Sequence, residues 1–191
     1  IHDTIVKMIK NVAENTVYSY ALDNTIEPNE AVALAIKIND MFGDMPIIKT
    51  LNDTKEAKIS ASDMAEALVE QAMNRMEERE NELSSEVFRD IERQILLYCV
   101  DQKWMDHIDA MDQLRSAIGM RSVGQKDPFM EYKMEGSEMF EEMNAAIQTD
   151  AVRLIMKANI SAEKRIQAKA PARNLQEGYG DSREQMAMRN V

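Results

Sequence analysis

Apolar residues recur every three or four positions along most of this chain, which is the spacing of amphipathic α-helices. The first such stripe predicts a helix over roughly residues 2–22. Its members are Ile1, Ile5, Met8, Ile9, Val12 and Tyr20. After Asp23 and Asn24, Pro28 suits the first turn of a second helix, which Gly43 ends. Residues 44–59 lack clear periodicity and indicate a loop with one short helix.

The next helix begins at Ser60, which precedes Asp63 in the arrangement of a capping box. Ile59 and Met64 flank this start and are placed to form a hydrophobic staple. Residues 77–82 are almost purely charged and predict either a solvated helical face or a short break.

Two long helices are predicted over residues 87–120 and 128–158. The apolar stripe of the first comprises Ile91, Ile95, Tyr98, Met105, Ile108, Met111, Leu114 and Ile118. The stripe of the second comprises Tyr132, Phe140, Met143, Ile147, Ala151 and Leu154. Asp127 supplies an N-cap and Pro128 a first-turn residue. Helices of ~30 residues are about 45 Å long, and the short loop between them predicts antiparallel packing.

Composition supports the helical interpretation, because 6 glycines and 4 prolines among 191 residues are too few for the many turns of a sheet protein. The predicted fold class is therefore all-α, with a long antiparallel helical hairpin. From Ser161 onward there is too little apolar surface to offset the entropy of ordering the backbone. Residues 161–191 are accordingly predicted to be a flexible C-terminal tail.

Charge and cysteine content restrict the possible partners and compartment. The 34 acidic and 23 basic residues give a net charge of −11, which disfavours nucleic-acid binding. Cys99 is the only cysteine, so the chain forms no internal disulfide or thiolate metal cage, and the reducing cytoplasm is expected. No apolar run reaches the ~20 residues of a membrane span. Ile1 begins in mid-pattern, and a piece of a longer polypeptide is expected.

Candidate chemistry is sparse. His107 lies among Asp106 and Asp109, which raises a metal or acid–base hypothesis, but these side chains leave a helix at different angles. No phosphate-binding loop and no nucleophile with an orienting base is recognisable. The sequence predicts no catalytic residue, no cofactor and no metal ligand in this chain.

Trp104 and the 16 methionines are assigned mainly to packing. Trp104 is predicted to anchor packed elements, with a hydrogen-bond partner for its indole N–H. Most methionines lie on apolar stripes. Those near the far end of the hairpin are also suited to adaptable contacts, because the thioether chain is flexible and polarizable. They are Met111, Met120, Met130, Met134 and Met139.

The run KWMDHIDAMDQLR at residues 103–115 closely resembles the helical scaffold of SecA, the ATPase family that drives preproteins through the SecY channel. QKDP at 125–128, EYKMEG at 131–136 and Met139-Phe140 follow in the family's order. The resemblance implies four parts. These are the end of a preceding scaffold helix (1–25), a small helical wing domain (26–85), the scaffold with its two-helix finger (86–160) and a flexible C-terminal linker (161–191).

The resemblance also implies a function. In that family the finger contacts the SecY channel and the unfolded preprotein, and restrains ATP hydrolysis by nucleotide-binding domains that this chain lacks, as it lacks the preprotein-crosslinking domain. ATP and Mg²⁺ would belong to that parent protein, which would be cytoplasmic and peripheral at the cell membrane. The implied finger tip is Arg121, Ser122, Val123, Gly124, Gln125 and Lys126. The implied scaffold and regulatory contacts are Trp104, His107, Asp112 and Arg115.

The chain departs from the family pattern at the tip. Val123 stands where a bulky aromatic residue is usual, and Gly119 stands where histidine is usual. Two other functions remain open from the sequence. One is a self-contained helical adaptor that docks through the hairpin, and the other is a small metal-dependent hydrolase built on His107 and nearby carboxylates.

Overall fold

The computed structural model describes residues 1–53, 58–121 and 127–158, with only the backbone described for Met120 and Arg121. The described residues form six helices and one two-stranded sheet, which confirms the all-α fold class. In chain order the elements are α1 (His2–Tyr18), β1 (Thr25–Ile26), α2 (Pro28–Phe42), α3 (Pro46–Asp53), β2 (Ile59–Ser60), α4 (Ala61–Leu83), α5 (Ser85–Arg121) and α6 (Pro128–Lys157).

The first helix is shorter than predicted, because a tight turn comes after it. Leu22 and Thr25 exchange two backbone hydrogen bonds of 2.9 Å, and Asp23 and Asn24 between them have φ of 48° and 59°. Positive φ at both central residues is the requirement of a type I′ turn, which asparagine and aspartate tolerate. The chain then enters β1, which pairs antiparallel with β2. These strands were not predicted, since two residues are too few for any periodic signal.

The helix boundaries around the first loop agree with the predicted caps. Pro28 lies in the first turn of α2, and Gly43 comes after its last residue with φ 78°. Ser60 caps α4, and its hydroxyl accepts a hydrogen bond from the backbone N–H of Asp63 at 3.4 Å. The expected short helix within residues 44–59 is α3.

One apolar core joins α1 to α4 with the C-terminal end of α6. Its most deeply buried large side chains are Phe42, Ile5, Ile9, Ile26, Leu34, Ile38, Met41, Leu51, Leu68, Ile155 and Met156. Arg79 of α4 donates to the carbonyl oxygen of Ile155, and Lys157 lies 3.3 Å from Asp40 of α2. The end of α6 is therefore held by burial and by polar contacts together.

The antiparallel hairpin of α5 and α6 is confirmed by its cross-helix contacts. Lys103 pairs with Asp150, and His107 contacts Phe140 further along. Met111 then meets Gly136, where a Cβ atom added to the glycine would lie 3.0 Å from the Met111 Cε atom. Residues nearer the C-terminus of α5 thus contact residues nearer the N-terminus of α6, which is the antiparallel arrangement. The absent side chain at Gly136 allows Met111 to lie against the backbone of α6.

The predicted stripe of α5 is right at its ends and wrong at its centre. Ile91, Leu114 and Ile118 are buried, but Tyr98, Met105 and Ile108 are exposed, and Cys99 is buried instead of Tyr98. On α6, Met143, Ile147 and Ala151 are buried as predicted, whereas Phe140 and Leu154 are exposed. A helix with one neighbour buries only a narrow seam, so a wider apolar stripe leaves its edges in solvent.

The part of the chain up to Ala158 clusters as one compact unit. The predicted domain boundaries near residues 25, 85 and 160 stay a prediction. The predicted tail at residues 161–191 lies outside the described residues. The charged stretch 77–82 continues as helix, and the break comes two residues later at Ser84.

Replacing Ile155 with alanine should lower the free energy of unfolding by about 2–5 kcal/mol, because the residue is 2 % exposed within the core. Leu154→Ala is the matched control, since Leu154 is 40 % exposed on the same turn and should cost about 0.5 kcal/mol or less. Urea unfolding followed by circular dichroism measures both. Equal losses from the two variants would show that the end of α6 is not docked in the core.

Candidate interaction surface on the helical hairpin

Exposed apolar side chains concentrate on the hairpin. Among the residues that the structure describes, eleven of the sixteen large exposed apolar side chains belong to α5 or α6. They are Leu97, Tyr98, Val100, Trp104, Met105, Ile108, Phe129, Met130, Met134, Phe140 and Leu154. This concentration makes the hairpin the candidate interaction surface of the described residues.

Trp104 and His107 form part of this surface and reach towards α6. The Trp104 ring lies 5.8 Å from the His107 ring, which in turn lies 5.9 Å from the ring of Phe140. Trp104 is 47 % exposed, so the prediction that it anchors packed elements is wrong. Its ring is tilted by 41° to that of His107 on the same helix, and about half of the side chain is in solvent.

Asp112 and Arg115 pair with each other at the surface. The carboxylate Oδ1 and guanidinium Nη2 atoms are 3.5 Å apart, and both side chains are more than two-thirds exposed. A pair this exposed contributes about 0.5 kcal/mol or less to stability, so both charges remain available to a partner. The four implied contact residues therefore form two separate pairs, Trp104 with His107 and Asp112 with Arg115.

The implied tip lies largely outside the described residues. Arg121 ends α5, and Ser122, Val123, Gly124, Gln125 and Lys126 are among the residues not described. Immediately after them, the Asp127 carboxylate caps α6 by accepting a hydrogen bond from the Phe129 backbone N–H at 3.0 Å. Phe129 and Met130 are 70 % and 49 % exposed in this first turn. Exposed apolar side chains thus begin directly after the implied tip.

Two of the methionines assigned to adaptable contacts are exposed. Met130 and Met134 are about half or more exposed on α6, whereas Met111 and Met139 are partly buried in the hairpin. Unbranched thioether side chains at an exposed site conform to partners of different shape at little cost.

A buried thiol lies beside an ion pair in the seam of the hairpin. Lys103 Nζ is 2.9 Å from Asp150 Oδ2, and Arg153 Nη2 is 3.4 Å from the other carboxylate oxygen. The hydrogen bond with Asp150 raises the pKa of Lys103. Burial raises the pKa of the Cys99 thiol, and the nearby Asp150 carboxylate adds to this rise while Lys103 opposes it. Cys99 is therefore a protonated packing residue and a poor nucleophile.

A second charged cluster, which we call the junction cluster, joins α1, α4 and α5 and comprises His2, Glu80, Arg89 and Glu92. Glu92 is 0 % exposed, with Oε1 at 2.9 Å from His2 Nδ1 and Oε2 at 3.3 Å from Arg89 Nη1. Arg89 Nη2 reaches both oxygens of Glu80, at 2.9 and 3.0 Å. A hydrogen bond from Ser85, with help from Arg89, lowers the pKa of Glu80 against the effect of burial.

Neither ion cluster was identified from the sequence. Lys103 and Asp150 become partners only through the hairpin register, which the loop length alone does not fix. His2 and Glu92 are 90 positions apart, and an isolated sequence carries no signal that pairs them. The available clue to the first cluster was the four-residue spacing that places Lys103 on the same face of α5 as Cys99, His107 and Met111.

The described side chains do not assemble reaction chemistry around His107. A shallow groove between α5 and α6 contains His107, Asp106 and Glu142. Within residues 1–53, 58–121 and 127–158, however, no three His, Cys, Asp or Glu side chains are grouped so as to hold a metal ion. A search of the same residues finds no helix of the length and apolar character needed to cross a bilayer. The described residues define an all-α domain that bears a long helical hairpin.

Comparison with known proteins identifies the family. The SecA wing and scaffold domain matches residues 1–159. A protein translocase subunit SecA from Finegoldia magna is 41 % identical over 153 residues, which are 80 % of this chain and 16 % of that protein. The SecA subunit of Acetivibrio thermocellus is 37 % identical over 183 residues, 95 % of this chain and 20 % of the relative. That of Carboxydothermus hydrogenoformans is 54 % identical over 97 residues, 51 % of this chain and 11 % of the relative.

The chain therefore belongs to the SecA wing and scaffold family, as the sequence resemblance indicated. It spans about a fifth or less of the length of these three relatives. The match therefore concerns one region of each of these relatives.

Alkylation of Cys99 by iodoacetamide at pH 8 should be at least about 100-fold slower in the folded chain than in denaturant, because reaction requires local opening of the hairpin. A raised thiol pKa means that the stabilisation from the protonated thiol is present below the unfolded pKa and is lost as pH rises through the folded one. The alkylation rate should therefore keep rising with pH beyond the point at which the rate of an exposed thiol levels off.

The control is Val100→Cys combined with Cys99→Ala, which places the thiol on the neighbouring exposed position. Mass spectrometry of timed samples gives both rates. Similar rates for positions 99 and 100 would contradict the buried placement of Cys99.

Proposed function

We propose that this chain is the wing and scaffold portion of a SecA-type translocation motor, and that the α5–α6 hairpin is its two-helix finger. The finger would contact the SecY channel and an unfolded preprotein, with the tip at Arg121 to Lys126. It would also restrain ATP hydrolysis by nucleotide-binding domains that lie elsewhere in the parent protein. Trp104, His107, Asp112 and Arg115 are the proposed contacts to those domains.

The observation that carries the proposal is a hairpin that is fixed to the core at one end and exposes apolar side chains along its length. Val152, Ile155 and Met156 embed the end of α6 in the core of α1 to α4, while Phe88 embeds the start of α5 in the same core. Two packed helices resist bending far better than one. A displacement of the base is therefore transmitted to the distal end, as a lever or a sensor of polypeptide requires.

The exposed side chains near the distal end supply the contact surface. Phe129 and Met130 are exposed in the first turn of α6, and Met134 lies one turn later. Preproteins differ in sequence, so contact with them favours flexible apolar groups over fixed hydrogen-bonding geometry. Val123 in place of the usual aromatic residue leaves more of this contact to its neighbours.

The remaining parts of the proposal concern the parent protein. ATP and Mg²⁺ would bind to its motor domains, and this chain would hold no cofactor. Its location would be the cytoplasm and the cytoplasmic face of the membrane. Its partners would be the SecY channel, the preprotein and its own nucleotide-binding and preprotein-crosslinking domains, with no nucleic acid, for which a net charge of −11 is unfavourable.

A second candidate is a self-contained helical adaptor, favoured by the same exposed hairpin surface and requiring no motor. The coding sequence upstream of Ile1 separates the two candidates, because a motor requires a phosphate-binding loop there and an adaptor does not.

Replacing Val123 and Lys126 with glycine in the full-length parent should slow ATP-driven translocation about tenfold, equivalent to the loss of ~1.4 kcal/mol of contact free energy. Nucleotide affinity should stay unchanged, because the substituted residues lie between α5 and α6 in the sequence and not in the nucleotide-binding domains. Translocation is measured as protease protection of a radiolabelled preprotein in SecY-containing vesicles, and affinity with a fluorescent ATP analogue.

Val32→Ala with Lys37→Ala is the control, since it removes the same two side-chain types from exposed positions on α2. The control should translocate normally. Normal translocation by the glycine variant as well would refute a working tip at residues 121–126.

A further inference from the structure

Helices α4 and α5 are joined by one residue whose backbone is unusual. α4 ends at Leu83, α5 begins at Ser85, and Ser84 between them has φ 80° and ψ 147°. This region of backbone space is populated almost entirely by glycine, because a Cβ atom crowds the backbone there. Ser84 therefore occupies a strained conformation at the point where two long helices meet.

The local sequence does not require a break, although the charged stretch 77–82 permits one. Residues 77–93 contain neither glycine nor proline, the residues that normally end helices. Glutamate, arginine and leucine, which favour helix, make up most of the segment before Ser84. With Ser84 in the helical conformation, α4 and α5 would continue as one helix over residues 61–121. Tertiary contacts therefore decide whether the chain bends there.

The junction cluster contains a contact that exists only in the bent form. The Arg89 guanidinium binds both carboxylate oxygens of Glu80, at 2.9 and 3.0 Å, across the bend at Ser84. In a continuous helix, positions nine residues apart lie about 13.5 Å apart along the axis and on opposite sides. No ion pair can span that separation around a helix, so the Arg89–Glu80 pair is lost when the helices join.

Two further groups oppose the straight form. Phe88 is 2 % exposed in the core that α1 to α4 provide. Glu92 is fully buried against His2 of α1 and against Arg89. A buried carboxylate that loses a partner is strongly unfavourable, so the contact of Glu92 with His2 also opposes moving the start of α5 away from α1.

We propose that Ser84 is a strained conformational switch, held in its bent form by Arg89 and converting to a continuous α4–α5 helix when that hold is released. The bent form directs α5 along α6 and against α1. The continuous form carries the start of α5 away from α1. Because Arg79 of α4 binds Ile155 of α6, it also separates the end of α6 either from α4 or from α5. This inference is independent of the proposed function, since it concerns the junction and not the tip.

The test is a distance measurement between spin labels in the full chain. Labels at Glu70→Cys and Asp101→Cys, in a Cys99→Ala background, occupy exposed positions on α4 and α5. In a continuous helix the roughly 31-residue separation spans about 46 Å, and a bend shortens that distance. Without further substitution the distribution should show one short distance.

Arg89→Met should add a population near ~46 Å that reaches at least about a tenth of the molecules. Adding Ser84→Gly to Arg89→Met should remove most of it, because glycine relieves the strain of the bent form. A merely structural role of Arg89 would not be corrected by a glycine at position 84. Arg93→Met is the matched control, since Arg93 pairs within α5, with Asp90 at 2.6 Å, and should leave the single short distance.

Should Arg89→Met fail to fold by circular dichroism, Arg89→Lys serves instead. It keeps the charge but loses the two-pronged geometry, and the long distance should appear at a smaller fraction. A single short distance in a folded Arg89 variant would overturn the proposal. So would a long-distance population that Ser84→Gly leaves unchanged.

Discussion

The structure depends on the burial of the last turns of α6 in the core formed by α1 to α4. Val152, Ile155 and Met156 are at most 2 % exposed there, and Arg79 and Lys157 add polar contacts from α4 and to α2. Residues that are more than 100 positions from α1 thus complete its core. Without this contact, α5 and α6 would be a pair of helices with a thin seam, and the small helices would lack one wall of their core.

The same anchoring explains why the hairpin exposes so much apolar surface. Each helix of the pair has the other as its main neighbour, and a two-helix contact buries only a narrow seam through Cys99, Met143, Ile147 and Ala151. The wider apolar stripes must then remain in solvent, as Tyr98, Met105 and Phe140 do. The side chains that stabilise the end of α6 are therefore different from those that the rest of the hairpin exposes.

The sequence predicted elements well where the signal was local. Pro28, Gly43, Ser60 and Asp127 each mark a helix boundary through backbone chemistry that needs no tertiary information. Prediction from the sequence failed where contacts between distant residues determine which side chains are buried. Tyr98 and Cys99 fit the helical periodicity about equally well. Only the position of α6 determines that Cys99 is the one buried in the seam. The family was recognisable because a dozen matching letters carry more information than any periodicity, whereas the implied tip remains a prediction.

Ser84 is another position at which tertiary contacts, and not the local sequence, determine the structure. The residues around it favour an uninterrupted helix, and the structure nevertheless bends there with a positive φ. Conflict between local preference and tertiary structure is unfavourable for folding, so proteins retain it mainly where it serves a purpose. The buried Glu92 at the same junction is a second such feature, because a well-packed apolar residue would often be at least as stable. A buried charge and a strained backbone placed so close together in the chain indicate a junction organised for defined geometry rather than for maximum stability.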